Sequence, residues 1–342
     1  MSILAAIILW MFTFMMILLT ITYALFFALA LKKPNLDVEA TLKKQQWQPY
    51  AEEIREAIRW YEQQEKKQLY ILTRDNVRLT GWFLAAEGES RGRVILCHDY
   101  RTPALVNFAP LVRAYHESGY DVLLTESRAH HESLGRFVCF GIRERFDLKL
   151  WIECVNKVYG ADKPIFLHGV GMGGTTVLMT AGLELPSNVN AVLAEGAYTS
   201  PYALVKKIMK TRFHMAPEVL LRYFDFWCRG QAGFHLRKAS TQEALRETKL
   251  PIFLIHGEGD TMAPIGMAEA NFEACGSEEK HFVRVACAGH GNCLFEAREN
   301  GPAALKFFSE HRALPPAETE AEKSEENTEN IEKTEISEEN RE

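Results

Sequence analysis

With 342 residues, 47% of them apolar and 25% charged, the chain has material for one large α/β domain or two small ones with an ordinary globular core. The net charge of −6 is unevenly spread: Glu318–Glu342 carries eleven Glu against two Lys and one Arg, so the preceding body is close to neutral. No basic stripe of the kind that nucleic-acid binding requires is present, which removes that class of partner. Seven cysteines (Cys97, Cys139, Cys154, Cys228, Cys275, Cys287 and Cys293) form an odd set without CxxC spacing. They read as buried thiols in a reducing compartment rather than as a disulfide framework.

Residues 2–31 contain no charged side chain and are mostly Leu, Ile, Phe, Met and Ala. A hydrocarbon core needs about 20 such residues, so residues 1–31 read as an N-terminal transmembrane anchor. A cleavable signal peptide is the competing reading, because Ala28-Leu29-Ala30 resembles a cleavage site. Against it, no basic residue precedes the run, and the run is longer than a signal's apolar region. Lys32, Lys33, Lys43 and Lys44 follow the span, and the positive-inside bias then puts the body in the cytoplasm, single-pass at the cell membrane.

Residues 32–66 form a linker and a connecting helix, with Ile54, Ile58 and Tyr61 at helical spacing. From there short apolar runs alternate with helical patterns. Strands are predicted at Leu69–Leu72, Arg78–Leu84, Val94–His98, Val122–Thr125, Ile165–His168, Ala191–Ala194, Ile252–His256 and Phe282–Ala286. Helices are predicted between them, for example at Arg143–Val158 and Thr175–Leu183. This rhythm predicts an α/β domain over 67–313, a mainly parallel sheet of about eight strands covered by helices. Residues 200–245 break it: they hold no strand but many aromatic and basic residues (Tyr202, Phe213, Tyr223, Phe224, Phe226, Trp227). They read as a helical cap over the carboxyl edge of the sheet. The alternative is extra helices that only complete the core. Residues 314–342 are Glu, Lys, Ser, Asn and Thr, too polar to offset the entropy of ordering, and read as a disordered acidic tail.

The chemistry centres on Pro164-Ile-Phe-Leu-His168-Gly169-Val170-Gly171-Met172-Gly173-Gly174-Thr175, a strand entering a glycine-crowded turn and then a helix. In a G-x-S-x-G elbow, small flanking residues permit a strained turn that lifts a nucleophile above the sheet. Gly169 and Gly173 occupy the flanks, and the nucleophile position holds Gly171. The same residues spell G-x-G-x-x-G, with Glu195 ending the next strand, a weak dinucleotide signature. Its place in mid-sheet, rather than on the first βαβ unit, argues against that reading. Downstream, Asp260 follows one strand and His290 the next, so positions 171, 260 and 290 run in the order nucleophile, acid, base. In such a triad the Asp accepts the imidazole N–H and fixes its tautomer. No metal-ligand spacing is present, and no cofactor is expected.

Residues from about Tyr50 to His311 resemble the single-domain α/β-hydrolases of Gram-positive bacteria, many of them membrane-anchored serine hydrolases. The likeness rests on Val94-Ile-Leu-Cys-His98-Asp99-Tyr100, Ser127-Arg-Ala-His-His-Glu-Ser-Leu-Gly135, Phe140-Gly-Ile-Arg-Glu-Arg-Phe-Asp147 with Trp151-Ile152, Ala197-Tyr-Thr-Ser-Pro201 and Ile255-His-Gly-Glu-Gly-Asp260. It implies that Asp260 and His290 are the acid and base, and that the backbone N–H groups of Tyr100 and Met172 form an oxyanion hole for small acyl esters or amides.

Three departures stand out. Gly171 replaces Ser. Asp99 stands where the family has Gly, adding a carboxylate that is unwelcome beside an oxyanion loop if it points inward. Ala129, His131 and Glu126 depart from the family's pattern around Arg128. No substitute nucleophile is evident: the Thr175 hydroxyl is placed to bond backbone, and Cys97 lies inside a strand. The space a Ser side chain would fill could hold a water activated by His290 and Asp260. Two functions therefore remain: a serine-hydrolase-like enzyme of weak or absent turnover, or a non-catalytic pseudo-hydrolase serving as a membrane-tethered binding or interaction module.

Overall fold

The computed structural model describes residues 2–34, 36–212, 217–297 and 300–313; the expected acidic tail and Phe213 lie outside them. In chain order the elements are α1 (Ile3–Ala30), α2 (Val38–Leu42), α3 (Ala51–Gln63), β1 (Lys67–Leu72), β2 (Arg78–Leu84), β3 (Arg93–Cys97), α4 (Ala104–Glu117), β4 (Asp121–Thr125), α5 (Glu144–Tyr159) and β5 (Ile165–Val170). They continue with α6 (Met172–Thr180), β6 (Val189–Glu195), α7 (Pro201–Arg212), α8 (Pro217–Ala232), α9 (Thr241–Arg246), β7 (Ile252–Gly257), α10 (Ile265–Ala274), β8 (Lys280–Val285), α11 (Cys293–Glu296) and α12 (Asn300–Glu310).

The eight strands form one sheet in the order β1-β2-β4-β3-β5-β6-β7-β8. β2 pairs antiparallel with both β1 and β4, while β3 to β8 pair in parallel. The expected mainly parallel sheet of about eight strands is therefore what the chain forms.

Side-chain alternation along the central strands divides the interior into two layers. Val94 and Leu96 of β3, Val122 and Leu124 of β4, and Phe166 of β5 face one cluster. It includes Phe108, Val112 and Tyr115 of α4 and Phe307 and Phe308 of α12. Ile95, Leu123, Ile165 and Leu167 face the other, with Leu148, Trp151, Ile152 and Val155 of α5 and Val177 and Leu178 of α6. Strands buried on both faces lose the apolar–polar alternation, which is why they read as continuous apolar runs.

The chain order reverses at β3: from there it goes to β4 on one side and then crosses to β5 on the other. In an open α/β sheet the crevice beyond the strand ends at such a reversal is where ligands bind. Asp99 follows β3 and Gly171 follows β5, so both lie at this point.

The expected helix at Thr175 begins three residues earlier, at Met172. Two glycines at its entrance hide that start, because glycine is a poor helix former. Here glycine is required: a Cβ on Gly173 would collide with the Cys97 carbonyl, so a side chain would force α6 away from β3.

Residues 200–245 form α7, α8 and α9. α9 packs on α6 and α10. α8 lies against α1: Leu25, Phe26, Leu29 and Ala30 are buried among Val205, Met209, Leu220, Leu221, Phe224 and Cys228. Trp227 donates its indole N–H to the Thr22 hydroxyl at 3.2 Å. α1 is long and apolar enough to cross a membrane, but its last two turns belong to the folded body.

Candidate functional site

β5 ends at Val170 and leads into Gly171 at φ 56°, ψ −113°, a backbone conformation that L side chains rarely adopt. The Gly171 N–H donates to the Glu195 carbonyl at 2.8 Å, tying the turn to the end of β6. These features make the strand–turn–helix elbow that the glycine spacing predicts.

Asp260 lies in the turn after β7. Its Oδ1 accepts the N–H groups of Met262 and Ala263, both at 2.8 Å, and its Oδ2 accepts His290 Nδ1–H at 2.6 Å. The carboxylate is buried, which disfavours its charge, but His290 and His256 outweigh burial and hold it well below the usual carboxylate range. The structure thus brings together Gly171, Asp260 and His290, three positions spread over 120 residues.

It also places a fourth group that changes the site. The Asp99 side chain points inward. Its Oδ1 accepts the Met172 N–H at 2.8 Å, and its Oδ2 lies 3.3 Å from His290 Nε2. A Cβ built on Gly171 would collide with the Asp99 carboxylate. The space that a residue-171 side chain would occupy is therefore filled by a carboxylate from the loop after the neighbouring strand β3. This corrects the expectation of a water there.

His290 now stands between two carboxylates, one on each ring nitrogen. Burial disfavours its charge, but Asp99 and Asp260 outweigh it and hold the imidazolium well above its ordinary pKa of 6.5.

The loop carrying Asp99 is fixed from several directions. Asp99 donates its N–H to Asn107 Oδ1 at 2.9 Å, and its carbonyl accepts from His98 Nδ1 at 2.7 Å. His98 Nε2 in turn accepts the Ser127 N–H at 3.0 Å. Because a carbonyl only accepts and an N–H only donates, His98 is the neutral Nδ1–H tautomer, and burial lowers its pKa. His130 repeats the pattern, bonding the Arg128 carbonyl through Nδ1 and accepting the Arg101 N–H through Nε2 at 3.0 Å. The next residues reach α1: Tyr100 donates its hydroxyl to the Leu29 carbonyl at 2.6 Å. The Arg101 guanidinium donates to the Ala28 and Leu31 carbonyls, both at 2.8 Å. Nothing in the sequence joined this loop to the apolar N-terminal segment.

The other candidate groups have structural partners. Thr175 accepts the Tyr198 N–H at 3.0 Å. Cys97 is buried, which pushes its thiol up to about 12. Glu195, part of the dinucleotide signature, is buried and accepts the Cys293 N–H at 2.6 Å; burial pushes its carboxyl up to about 7. It faces no open crevice where a ribose could bind. Among the described residues no group of three or more His, Cys, Asp or Glu is arranged to hold a metal ion.

No protein-family model matches the chain. It is 22% identical over 213 residues to the uncharacterized protein YqkD of Bacillus subtilis, covering 62% of this chain and 69% of that one. It is 24% identical over 238 residues to a thermostable monoacylglycerol lipase of Bacillus sp. H-257, covering 64% of this chain and 90% of the lipase. Among solved structures, the Pyrococcus furiosus esterase Pf2001 superposes with a TM-score of 0.59 at 22% identity, covering 72% of this chain and 93% of the esterase. The α/β hydrolase GrgF from Penicillium sp. sh18 superposes with a TM-score of 0.56 at 17% identity, covering 73% of this chain and all of GrgF. The fold is that of the α/β-hydrolases.

Proposed function

We propose that the chain is a membrane-tethered protein related to the serine ester and amide hydrolases, in which serine-type acyl turnover is weak or absent. Asp260 orients His290, the Met172 and Tyr100 N–H groups are the oxyanion donors, and Gly171 marks the vacated nucleophile position. One observation carries this reading: the Asp99 carboxylate occupies both the space above Gly171 and the Met172 N–H. A bound carboxylate there excludes the carbonyl oxygen that an acyl substrate would place in the same hole, a position where each donor is worth about 10²–10³ in rate.

The membrane assignment is supported by the helix itself. Residues 3–21 of α1 precede the first residue that the body buries, Thr22, and span about 28 Å at 1.5 Å per residue, close to a hydrocarbon core. Lys32, the first charge after the span, is held by the body through the His131 and Ser133 carbonyls at 2.9 and 2.7 Å. The lysines that follow the span favour a cytoplasmic body. A site whose loop grips the end of that helix suits an amphipathic ligand, a class to which a monoacylglycerol, named for one relative, belongs.

The test pairs the natural chain with Gly171→Ser and with Gly171→Ser plus Asp99→Gly, using fluorophosphonate labelling and p-nitrophenyl ester hydrolysis. The natural chain and the single variant are expected to stay unlabelled, and the double variant to label and turn over. If the folded double variant does neither, the pocket has diverged beyond its nucleophile, and the non-catalytic binding module becomes the reading.

A further inference from the structure

We propose that the C-terminal half of α8 is a second membrane contact, seated beside α1 in the headgroup layer of a leaflet that carries anionic lipid. The inference rests on the reading of α1 as a membrane span. Phe26 of α1 meets Phe224 of α8 with ring centroids 6.0 Å apart, and Tyr23 meets Trp227 at 4.7 Å. Residue numbers fall along α1 as they rise along α8, so the two helices run antiparallel here. The end of α8 therefore points back along α1, towards the span. The bond from the Trp227 indole N–H to the Thr22 hydroxyl holds the same pairing.

Aromatic rings collect where the two helices meet. Tyr23 also packs on Phe27, with ring centroids 4.6 Å apart, and Trp227 packs on Phe226 at 5.1 Å. Tyr23 is 41% exposed and Phe226 is 55% exposed, so the cluster is open on its outer side. Thr22 is the first α1 residue that the body buries, which places the cluster where the span ends. Tyr and Trp concentrate at that level of a bilayer, because the ring is apolar and its polar edge stays wet. A single exposed Phe needs no explanation, but this one continues the exposed apolar surface of α1, which includes Phe14 and Ile17.

Charge identifies the lipid. Arg222 and Arg229 lie about one turn before and after Phe226 on the same exposed face of α8. The two acids of α8 are turned to other partners. Asp225 accepts the Leu236 N–H at 2.7 Å and bonds His235 Nδ1 at 3.1 Å, and Glu218 accepts the Tyr202 hydroxyl at 2.8 Å. Residues 200–245 as a whole hold eight Lys and Arg against three Asp and Glu. Each basic side chain held at an anionic surface favours the bound state about fivefold. The aliphatic stems of the arginines can lie along the apolar layer while the guanidinium groups reach phosphate. Leu29, whose carbonyl Tyr100 bonds, lies about 9 Å further along α1 from Tyr23. A body fixed to the bilayer at two points instead of one keeps the Asp99 loop at that depth beneath the headgroups.

The test reconstitutes full-length protein in vesicles of phosphatidylcholine, alone or mixed with phosphatidylglycerol. Cys154→Ser and Cys287→Ser remove the two cysteines that are not buried. An environment-sensitive fluorophore is then placed on Phe226→Cys, on Phe14→Cys in the span, or on Val158→Cys, an exposed position at the end of α5. The label at 226 is expected to be blue-shifted, to be quenched by a nitroxide on the lipid headgroup, and to lose most of the aqueous iodide quenching seen at 158. Lipid quenching at 226 should be stronger with phosphatidylglycerol, and Arg222→Gln with Arg229→Gln should remove that excess. Iodide quenching at 226 equal to that at 158 overturns the proposal, as does an equal response in the two lipids. Protection from both quenchers also overturns it, because a second copy or another protein then covers the face. A nitroxide deep in the acyl chain reads the label at 14. If that label is quenched while 226 shows no lipid contact, this inference alone fails; if neither is quenched, the reading of α1 as a span fails with it.

Discussion

Tyr100 donates its hydroxyl to the Leu29 carbonyl at 2.6 Å, which joins the residue after Asp99 to the last turn of the apolar N-terminal helix. A membrane anchor that only tethers its domain has no need of such a bond. Phe26 makes the same connection through packing: its side chain is fully buried, with ring centroids 5.0 Å from Phe137 and 6.0 Å from Phe224. Phe26→Ala should therefore destabilise the body by about 3 kcal/mol or more, the usual cost of emptying a buried aromatic site. Chemical denaturation in detergent checks this; a change below about 0.5 kcal/mol would mean that Phe26 faces lipid or detergent instead.

A second prediction concerns Arg128, which bonds Asp147 through Nε and Nη2 at 2.7 Å each and Asp75 through Nη1 at 2.9 Å. Asp147 is buried, so removing the arginine leaves an uncompensated charge. Arg128→Met should cost about 3–5 kcal/mol. Adding Asp147→Asn should recover a substantial part of it, because the stranded charge is then gone. Tryptophan-fluorescence denaturation curves of both variants measure the difference.

A third follows from Glu144, whose carboxylate accepts the N–H groups of Cys139 at 2.7 Å and Gly141 at 2.8 Å. Both lie beside Phe140, which has a positive φ of 54°, so the carboxylate holds an unfavourable turn. Glu144→Ala leaves two buried donors without an acceptor, at about 1–3 kcal/mol each. Glu144→Gln retains one amide oxygen and should fall between the natural chain and Ala in urea midpoint.

These partnerships mark where sequence reasoning reached and where it stopped. β2 is read at its observed limits, Arg78–Leu84, and the other predicted strands fall within three residues; the inner strands β3, β4, β5 and β7 are buried on both faces and leave unbroken apolar runs. Asp260 and His290 were legible because each follows a strand, β7 and β8, and their chain order matches a known pattern. The direction of the Asp99 side chain was not legible. It depends on Gly171 lacking a Cβ, which frees the space, and on the Met172 N–H, which has no sequence signal of its own. Nor was the docking of α1 on α8 visible, because an apolar stripe facing protein and one facing lipid have the same composition.

The Asp99–His290 contact has a pH signature whose sign can be worked out. Burial disfavours the charged ring, but Asp99 and Asp260 outweigh it, so the folded-state pKa lies above the ordinary 6.5. The stability that this charge contributes is complete below about pH 6.5 and is lost as pH rises through the folded value. Asp260 acts in the opposite sense: its folded value is depressed, so its contribution is present above about pH 4 and is lost on acidification. The natural chain should therefore lose denaturation resistance as pH rises above about 6.5 and through the raised folded value of His290. Asp99→Asn removes one of the two anions. The His290 ring protons, followed by NMR, should then titrate at lower pH than in the natural chain, and the alkaline loss of stability should shrink. An unchanged titration would mean that Asp260 alone sets the charge of His290 and that Asp99 is not its partner in solution.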